Sequence, residues 1–267
     1  MIYNILYTNK SIWKDILLWE KSINDDYEIW SADRNYYKDI YVMHGNTSIY
    51  KFGHHGILAC NMVGLLCAYS FLKIKSDSDI TTKFIDNIIE EGIDLYQAFL
   101  HTKEGKRVTD KKFITETELL CEYFKTLYNI EFYDSQLIEV IDKERANLYN
   151  YDKWLLDNIS FYTDKAKNTV EKTACVITVN YECFVLYFDY LDKNYYLFDS
   201  QGRGLSFFRI PSNQNKYLFL TKKNAEIPYS NMSAYIIKSK EYSKIIDYIK
   251  KTLPYSRNFR STYIVLR

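Results

Sequence analysis

The segment Asn61 to Leu72 (NMVGLLCAYSFL) constrains the fold of this chain more than any other stretch, because apolar residues lie on nearly every side of the helix it would form. A helix that is apolar all round has to be enclosed by other elements. Gly64 and Ser70 interrupt the segment, which has only about half of the residues needed to span a bilayer. The segment therefore predicts a buried core helix, and we expect no membrane association.

The length and composition of the chain are sufficient to enclose such a helix. The sequence has 267 residues, of which 47% are hydrophobic, and a chain of this size can form a core without disulfide bonds. No repeat and no linker rich in Pro, Gly or Ser divides it, so we predict a single domain spanning residues 1–267. The net charge is +1, with Lys and Arg spread among Asp and Glu, which argues against a nucleic-acid partner.

The cysteines and the N-terminal residues indicate the compartment. The five cysteines are an odd number and include no Cys-x-x-Cys pair, which is typical of free thiols in a reducing environment. Asn4 and Lys10 interrupt the apolar residues at the N-terminus, and no small-residue cleavage site follows, so no signal peptide is predicted. We expect a cytoplasmic protein.

The predicted elements place helices before strands. After the core helix, a second helix is predicted from an N-cap at Asp79 to a stop at Gly92, with the pattern resuming over residues 93–100, and a third over residues 115–128. Strands are predicted at residues 174–180, 182–188, 195–200, 216–220, 234–238 and 262–267, with a turn at 189–194 and a helix at 240–253. This order predicts an α+β fold whose antiparallel sheet is formed from residues 174–267.

Cys60 comes immediately before the core helix and is the first candidate for chemistry. A cysteine acts as a nucleophile in its thiolate form, which the N–H groups and positive dipole at a helix N-terminus favour. The alternative is a core residue, because free cysteine is among the most buried residue types and Cys67 lies in the same apolar run. The segment alone leaves both interpretations open.

The second candidate lies in YYLFDSQGRG (residues 195–204), where an apolar strand ends on polar residues. Active-site groups are often placed on such loops, and Asp199 could orient a general base there. Taken alone, an aspartate at this point is more typical of a turn.

Together these stretches resemble the viral deubiquitinases typified by the N-terminal domain of the herpesvirus large tegument protein, which are papain-like cysteine peptidases. The resemblance covers residues 40–205 and keeps the order of the family's motifs: MHGNTS (43–48), FGHHGILAC (52–60), the core helix, EGIDLYQAF (91–99) and a strand pair closing on FDSQGRG (198–204). It implies a papain-like fold, a nucleophile at Cys60 and an orienting aspartate at Asp199. It also implies ubiquitin or a ubiquitin-like protein as partner, in the host cytoplasm or the virion.

The chain departs from this family pattern at two positions. The family has an oxyanion-hole glutamine before the cysteine and a general-base histidine two residues after the aspartate, whereas this chain has Ala59 and Gln201. A glutamine side chain cannot accept a proton from a thiol, and losing one oxyanion donor typically costs about 10²–10³ in rate. The resemblance therefore predicts a deubiquitinase-like protein that is catalytically impaired and acts by binding ubiquitin or another protein.

Two alternatives remain open. An active thiol-dependent deubiquitinase would need a rearranged base, for which His54 or His55 lies close to Cys60 in sequence. The strand start that carries the base in ordinary papain-like enzymes offers only Glu182 and Cys183. The other alternative is a non-enzymatic α+β interaction protein with an aromatic contact surface.

The other histidines give no sign of a catalytic role, and the spacing of the His and Cys residues argues against a metal site. His44 and His101 are expected to make hydrogen bonds or to meet solvent. The spacing of His54, His55, Cys60 and Cys67 fits no common zinc site. We therefore predict neither a metal nor a cofactor.

Overall fold

The computed structural model describes residues 20–21, 41–109, 117–139, 173–179, 182–189, 191–201, 234–245 and 258–265. Its helices are α1 (Gly53–Leu58), α2 (Cys60–Lys73), α3 (Thr82–Leu100), α4 (Lys103–Thr109) and α5 (Thr117–Tyr128). Two 3-10 turns, Ile49–Phe52 and Asp77–Asp79, precede α1 and α3, and residues 242–245 are also helical. The strands are β1 (Glu20–Lys21), β2 (Tyr41–His44), β3 (Glu131–Glu139), β4 (Thr173–Val179), β5 (Glu182–Asp189), β6 (Asn194–Asp199), β7 (Tyr235–Ser239) and β8 (Asn258–Val265).

The described strands form one sheet in the order β1-β2-β7-β6-β5-β4-β8-β3, and every neighbouring pair is antiparallel. The three predicted strands between residues 174 and 200 are confirmed as β4, β5 and β6. The predicted strands at 234–238 and 262–267 correspond to β7 and β8. The predicted strand at 216–220 and helical residues 246–253 lie outside the described residues.

The sheet is larger than the sequence predicts, and the expectation that residues 174–267 alone form it is wrong. Strands β1 and β2 extend one side and β3 forms the opposite edge. The sequence of β3, EFYDSQLIE, does not alternate cleanly, and its pairing with β8 shifts register between Tyr133 and Gln136. An edge strand with a bulge does not need the regular apolar alternation from which strands are recognised.

Helix α2 is buried between the sheet and α3, as its composition predicts. It contacts β4 and β5 on one side and α3 and α5 on the other, and Val63, Leu65 and Cys67 have no exposed surface. Within the described ranges, no single helix is long and apolar enough to cross a membrane. Residues 49–58 and α2, bent by 107° at their junction, pass that test only as a pair, which core helices also do.

The second helix differs from its prediction at both ends. Thr81, not Asp79, is the N-cap of α3, because its hydroxyl accepts a hydrogen bond from the Phe84 amide. Gly92 does not stop the helix: a Cβ at this position would lie 2.8 Å from the Val63 Cα. The glycine therefore allows α2 and α3 to pack closely in mid-helix, which local sequence rules read as a helix end.

Candidate functional site

Cys60 is the first residue of α2, so the predicted position at a helix N-terminus is observed. Helix α1 ends at Leu58, and only Ala59 separates the two helices across the sharp bend. The Ala59 carbonyl accepts a hydrogen bond from the Val63 amide at 2.9 Å. The Ala59 side chain provides no cap. Cys60 has 5% of its surface exposed, so the thiol lies at the outer limit of the core.

The end of the β4–β5 hairpin packs against the first turns of α2. Thr178 and Cys183 are opposite each other in the hairpin. The Thr178 hydroxyl donates to Asn61 Oδ1 at 3.1 Å. A Cβ at Gly64 would overlap the Cys183 Sγ, so only glycine allows this approach one turn after Cys60. The hairpin thus fixes the N-terminus of α2 against the sheet.

Tyr96, Cys183 and Cys67 are buried acids near the start of α2 that keep their protons at neutral pH. Burial, and then the negative charge of Cys60, raises the pKa of Tyr96 to about 12. Burial and the charges of Cys60 and Asp199 among others raise the pKa of Cys183 well above its ordinary value. Burial, followed by Cys183, does the same for the pKa of Cys67. At neutral pH none of these three groups can accept a proton from a neighbouring thiol.

Asp199 ends β6, and its carboxylate is engaged locally. Its Oδ1 accepts a hydrogen bond from the Gln201 backbone amide at 2.8 Å, the contact of an aspartate that forms a turn. Its Oδ2 accepts from the Tyr235 hydroxyl at 3.4 Å. Asp199 pairs with Phe184 in the sheet, next to Cys183, and the Cys183 thiol meets α2 at Gly64, one turn after Cys60.

Gln201 is buried, with 4% of its surface exposed, and its side chain is also engaged. Its Oε1 accepts a hydrogen bond from the Tyr50 hydroxyl at 3.1 Å. The neighbouring Ser200 carbonyl accepts from the Ile49 amide at 3.2 Å. Two contacts therefore join the end of β6 to the 3-10 turn that leads into α1 and Cys60.

The segment MHGNTS, which contributed to the family resemblance, has a structural role in this region. Asp86 of α3 accepts hydrogen bonds from the Asn46 and Thr47 amides at 2.6 and 3.0 Å and from the Asn46 side chain at 2.8 Å. A Cβ at Gly45 would lie 2.8 Å from the Asp86 carboxylate, so glycine is required for this clamp. The clamp fixes the backbone just before Tyr50, the residue that is hydrogen bonded to Gln201.

His54, His55 and His101 lie on the surface. His54 and His55 are exposed on α1, with ring centroids 6.4 Å apart. His101 is exposed at the C-cap of α3, and His44 is the last residue of β2. Across the parts of the chain that the structure describes, no group of three or more His, Cys, Asp or Glu side chains is arranged to hold a metal ion.

Sequence reasoning missed several residues of this region. Tyr96 belongs to the EGIDLYQAF motif but was not assigned to this site, although it lies four residues after Gly92, one helical turn further along the face that packs against α2. Tyr50 and Tyr235 carry no local signal, because both reach the end of β6 through the tertiary fold.

No protein-family model matches the chain, and no curated protein matches it. A solved structure does: the ubiquitin-specific protease encoded by the murine cytomegalovirus tegument protein M48, in complex with a ubiquitin-based suicide substrate. The TM-score is 0.51 at 11% sequence identity, and the match covers 84% of each chain. The predicted α+β, papain-like fold is thereby confirmed, since the neighbour is a viral ubiquitin protease of that fold.

Proposed function

We propose that this chain is a single-domain, deubiquitinase-like protein of viral type that binds ubiquitin or a ubiquitin-like protein and is catalytically impaired. The fold it shares with a viral ubiquitin-specific protease supports the deubiquitinase-like part. That protease was solved with a ubiquitin-based substrate, which supports the choice of partner. We place the protein in the host cytoplasm or the virion.

The observation that carries the proposed impairment is the chemistry of Gln201. Cleavage of an isopeptide bond needs a base that takes the thiol proton and later returns it to the leaving amine. An amide side chain does neither, and the Gln201 carbonyl oxygen already accepts a hydrogen bond from Tyr50. Tyr96 and Cys183, two acids whose pKa values Cys60 raises, hold their protons at neutral pH. An amide at position 201 therefore leaves the proposed site without the general base of the family that the sequence resembles.

The proposed site also lacks a side-chain hydrogen-bond donor for the oxyanion at the position before the cysteine. In the family that the sequence resembles, the residue before the cysteine donates a hydrogen bond to the developing oxyanion. Ala59 has only a methyl group there, and it is fully buried. The first backbone N–H groups of a helix are the donors that such a site would still have. Losing one side-chain donor typically costs about 10²–10³ in rate, in addition to the loss of the base.

Ubiquitin propargylamide tests this proposal, because it forms a covalent bond only with an activated active-site thiol. We expect no labelling of the wild-type protein by intact mass, and chemical-shift changes when the protein is added to ¹⁵N-labelled ubiquitin. Binding without labelling is the expected combination. If the wild-type protein is labelled and Cys60→Ala is not, the proposed impairment is wrong. If His54→Ala or His55→Ala also abolishes that labelling, the substituted histidine is the rearranged base.

The Gln201→His variant tests the cause of the impairment. An imidazole at this position restores a titratable base two residues after Asp199, so we expect slow but measurable labelling at Cys60. Gln201→Asn is the matched control and should remain unlabelled, because it changes the side chain without adding a base. Equal behaviour of the two variants would show that position 201 does not control the reactivity of Cys60.

A further inference from the structure

Asn61 places a carboxamide directly after Cys60 in the chain. It is the second residue of α2 and belongs to the same first turn as the thiol. Its side chain is partly exposed, whereas Cys60 before it and Met62 after it are buried. A molecule that binds at the start of α2 can therefore reach this polar side chain.

A hydrogen bond fixes the orientation of this carboxamide. The Thr178 hydroxyl donates to Asn61 Oδ1 at 3.1 Å, and Thr178 is the residue of the β4–β5 hairpin that pairs with Cys183. The Cys183 thiol in turn meets α2 at Gly64, so the end of the hairpin is itself held against the helix. Because the oxygen and nitrogen of a carboxamide diverge from one carbon, holding the oxygen also sets the direction of the Nδ2 amino group.

The Asn61 amino group remains as a hydrogen-bond donor. Among the described residues, no group accepts a hydrogen bond from it. A carboxamide nitrogen carries two N–H donors and no acceptor, so it binds oxygen atoms such as those of peptide carbonyls. Gln201 has a similar arrangement, since its Oε1 accepts from the Tyr50 hydroxyl, but it is buried. Asn61 is therefore the one of these two carboxamides that a bound peptide can reach.

We propose that Asn61 Nδ2 donates a hydrogen bond to a carbonyl oxygen at the end of the partner's C-terminal tail, beside Cys60. This inference rests on the proposed function. An extended tail at the start of α2 presents a carbonyl oxygen at every residue, and the methyl group of Ala59 offers none of them a donor. The chain thereby keeps, one position after the cysteine, the kind of donor that the family it resembles has one position before it.

Asn61→Asp tests this contact, because it exchanges the amino group for an oxygen and keeps the size of the side chain. The other oxygen can still accept from Thr178, and a carboxylate in the first turn stabilises a helix, so the unfolding temperature should be unchanged or slightly higher. Binding in a ¹⁵N-ubiquitin titration should nevertheless weaken by about tenfold or more, because an acceptor then faces an acceptor. Asn87→Asp, the same change at an exposed position of α3, is the matched control and should bind within about twofold of wild type.

Ubiquitin that lacks the last residues of its tail separates a contact with the tail from a contact with the folded body. The wild-type protein and Asn61→Asp should bind this truncated ubiquitin with equal affinity. If Asn61→Asp binds full-length ubiquitin as the wild type does, or weakens the binding of both forms equally, the inference is wrong and the proposed function stands. If the wild-type protein does not bind full-length ubiquitin, both are wrong.

Discussion

The two ends of α2 are built on different principles. At the C-terminal end, the Phe71 ring stacks on Tyr187 with centroids 5.3 Å apart and lies 6.1 Å from the ring of Tyr196. The Tyr196 hydroxyl donates to Asp77, and Lys238 forms an ion pair with the other Asp77 oxygen at 2.6 Å. Large aromatic groups fill the space, and these polar groups satisfy one another.

The N-terminal end has small residues instead of aromatic rings, and buried hydroxyl groups instead of paired polar groups. Cys60 begins the helix, and Gly64 lets the Cys183 thiol approach the backbone. The hydroxyls of Ser48 and Ser200 are buried and have no hydrogen-bond partner among the described residues. Real proteins depart from the rules of packing and polar satisfaction mainly at functional sites. The contrast therefore favours a structural role for one end of α2 and a functional role for the other.

The largest expected effect is the loss of Phe71. Phe71→Ala should lower the free energy of unfolding by about 3–5 kcal/mol, because it leaves a cavity among rings that cannot collapse into it. Cys60→Ala should cost about 1 kcal/mol, near the centre of the distribution for point mutants. Urea denaturation monitored by circular dichroism measures both. Similar costs for the two variants would mean that both ends are packed for stability.

The fit between Gly64 and Cys183 gives the next largest effect. Gly64→Ala should cost about 1–3 kcal/mol, because the new methyl group meets the Cys183 Sγ. Cys183→Ala removes that sulfur, so Gly64→Ala/Cys183→Ala should be more stable than the sum of the single changes predicts. Additive costs in this double-mutant cycle would place the strain elsewhere.

Local sequence patterns were sufficient for much of this fold. Helix α2 and strands β4 to β6 were predicted within one or two residues, since each carries its own hydrophobic period and its own turn signals. Gly92 was misread as a helix end, because only the position of Val63 explains it. Strands β2 and β3 were missed, because pairing with distant strands rather than their own composition maintains them.

The candidate site was predictable in outline but not in its contacts. The position of Cys60 and the polar end of β6 follow from short motifs. The Tyr50–Gln201 hydrogen bond joins residues 151 apart, and the Thr178–Asn61 bond joins residues 117 apart. Contacts of this range depend on how helices and sheet pack, which no local pattern encodes. Catalytic roles for Cys60 and Asp199 stay predictions until the labelling experiment is done.

The ion pair at the C-terminal end should have a smaller effect than the aromatic core. Lys238→Met keeps the apolar stem and leaves the half-buried Asp77 carboxylate without its ammonium partner, at an expected cost of about 1–2 kcal/mol. Asp77→Asn in the same background should cost little more, because the pair is already broken. Equal effects of Asp77→Asn in the two backgrounds would show that the two charges are not coupled.

The two tyrosines at the same end should contribute to the loss of stability at alkaline pH, in addition to Cys67, Tyr96 and Cys183 near the N-terminal end. Burial and nearby carboxylates raise the pKa of Tyr187 and, together with a hydrogen bond to Asp77, that of Tyr196. Below pH 10 both states keep these protons; above it the unfolded chain loses them first, so stability falls with rising pH. Each such tyrosine contributes up to about 1.4 kcal/mol per pH unit. In Tyr196→Phe the urea midpoint should fall less steeply between pH 9.5 and 11 than in the wild type. An unchanged slope would exclude a contribution of Tyr196 to the pH dependence.

The smallest expected effect differs from the others in sign. Ser200→Ala removes a buried hydroxyl that has no partner among the described residues, so it should leave stability unchanged or raise it by up to about 1 kcal/mol. Ser239 is the matched control: it is equally buried at 1% exposure, and its hydroxyl accepts a hydrogen bond from the Glu241 amide. Ser239→Ala should therefore cost about 1 kcal/mol. If Ser200→Ala is destabilising by the same amount, the hydroxyl is satisfied in the folded protein, and the N-terminal end of α2 loses the feature that most separates it from the other end.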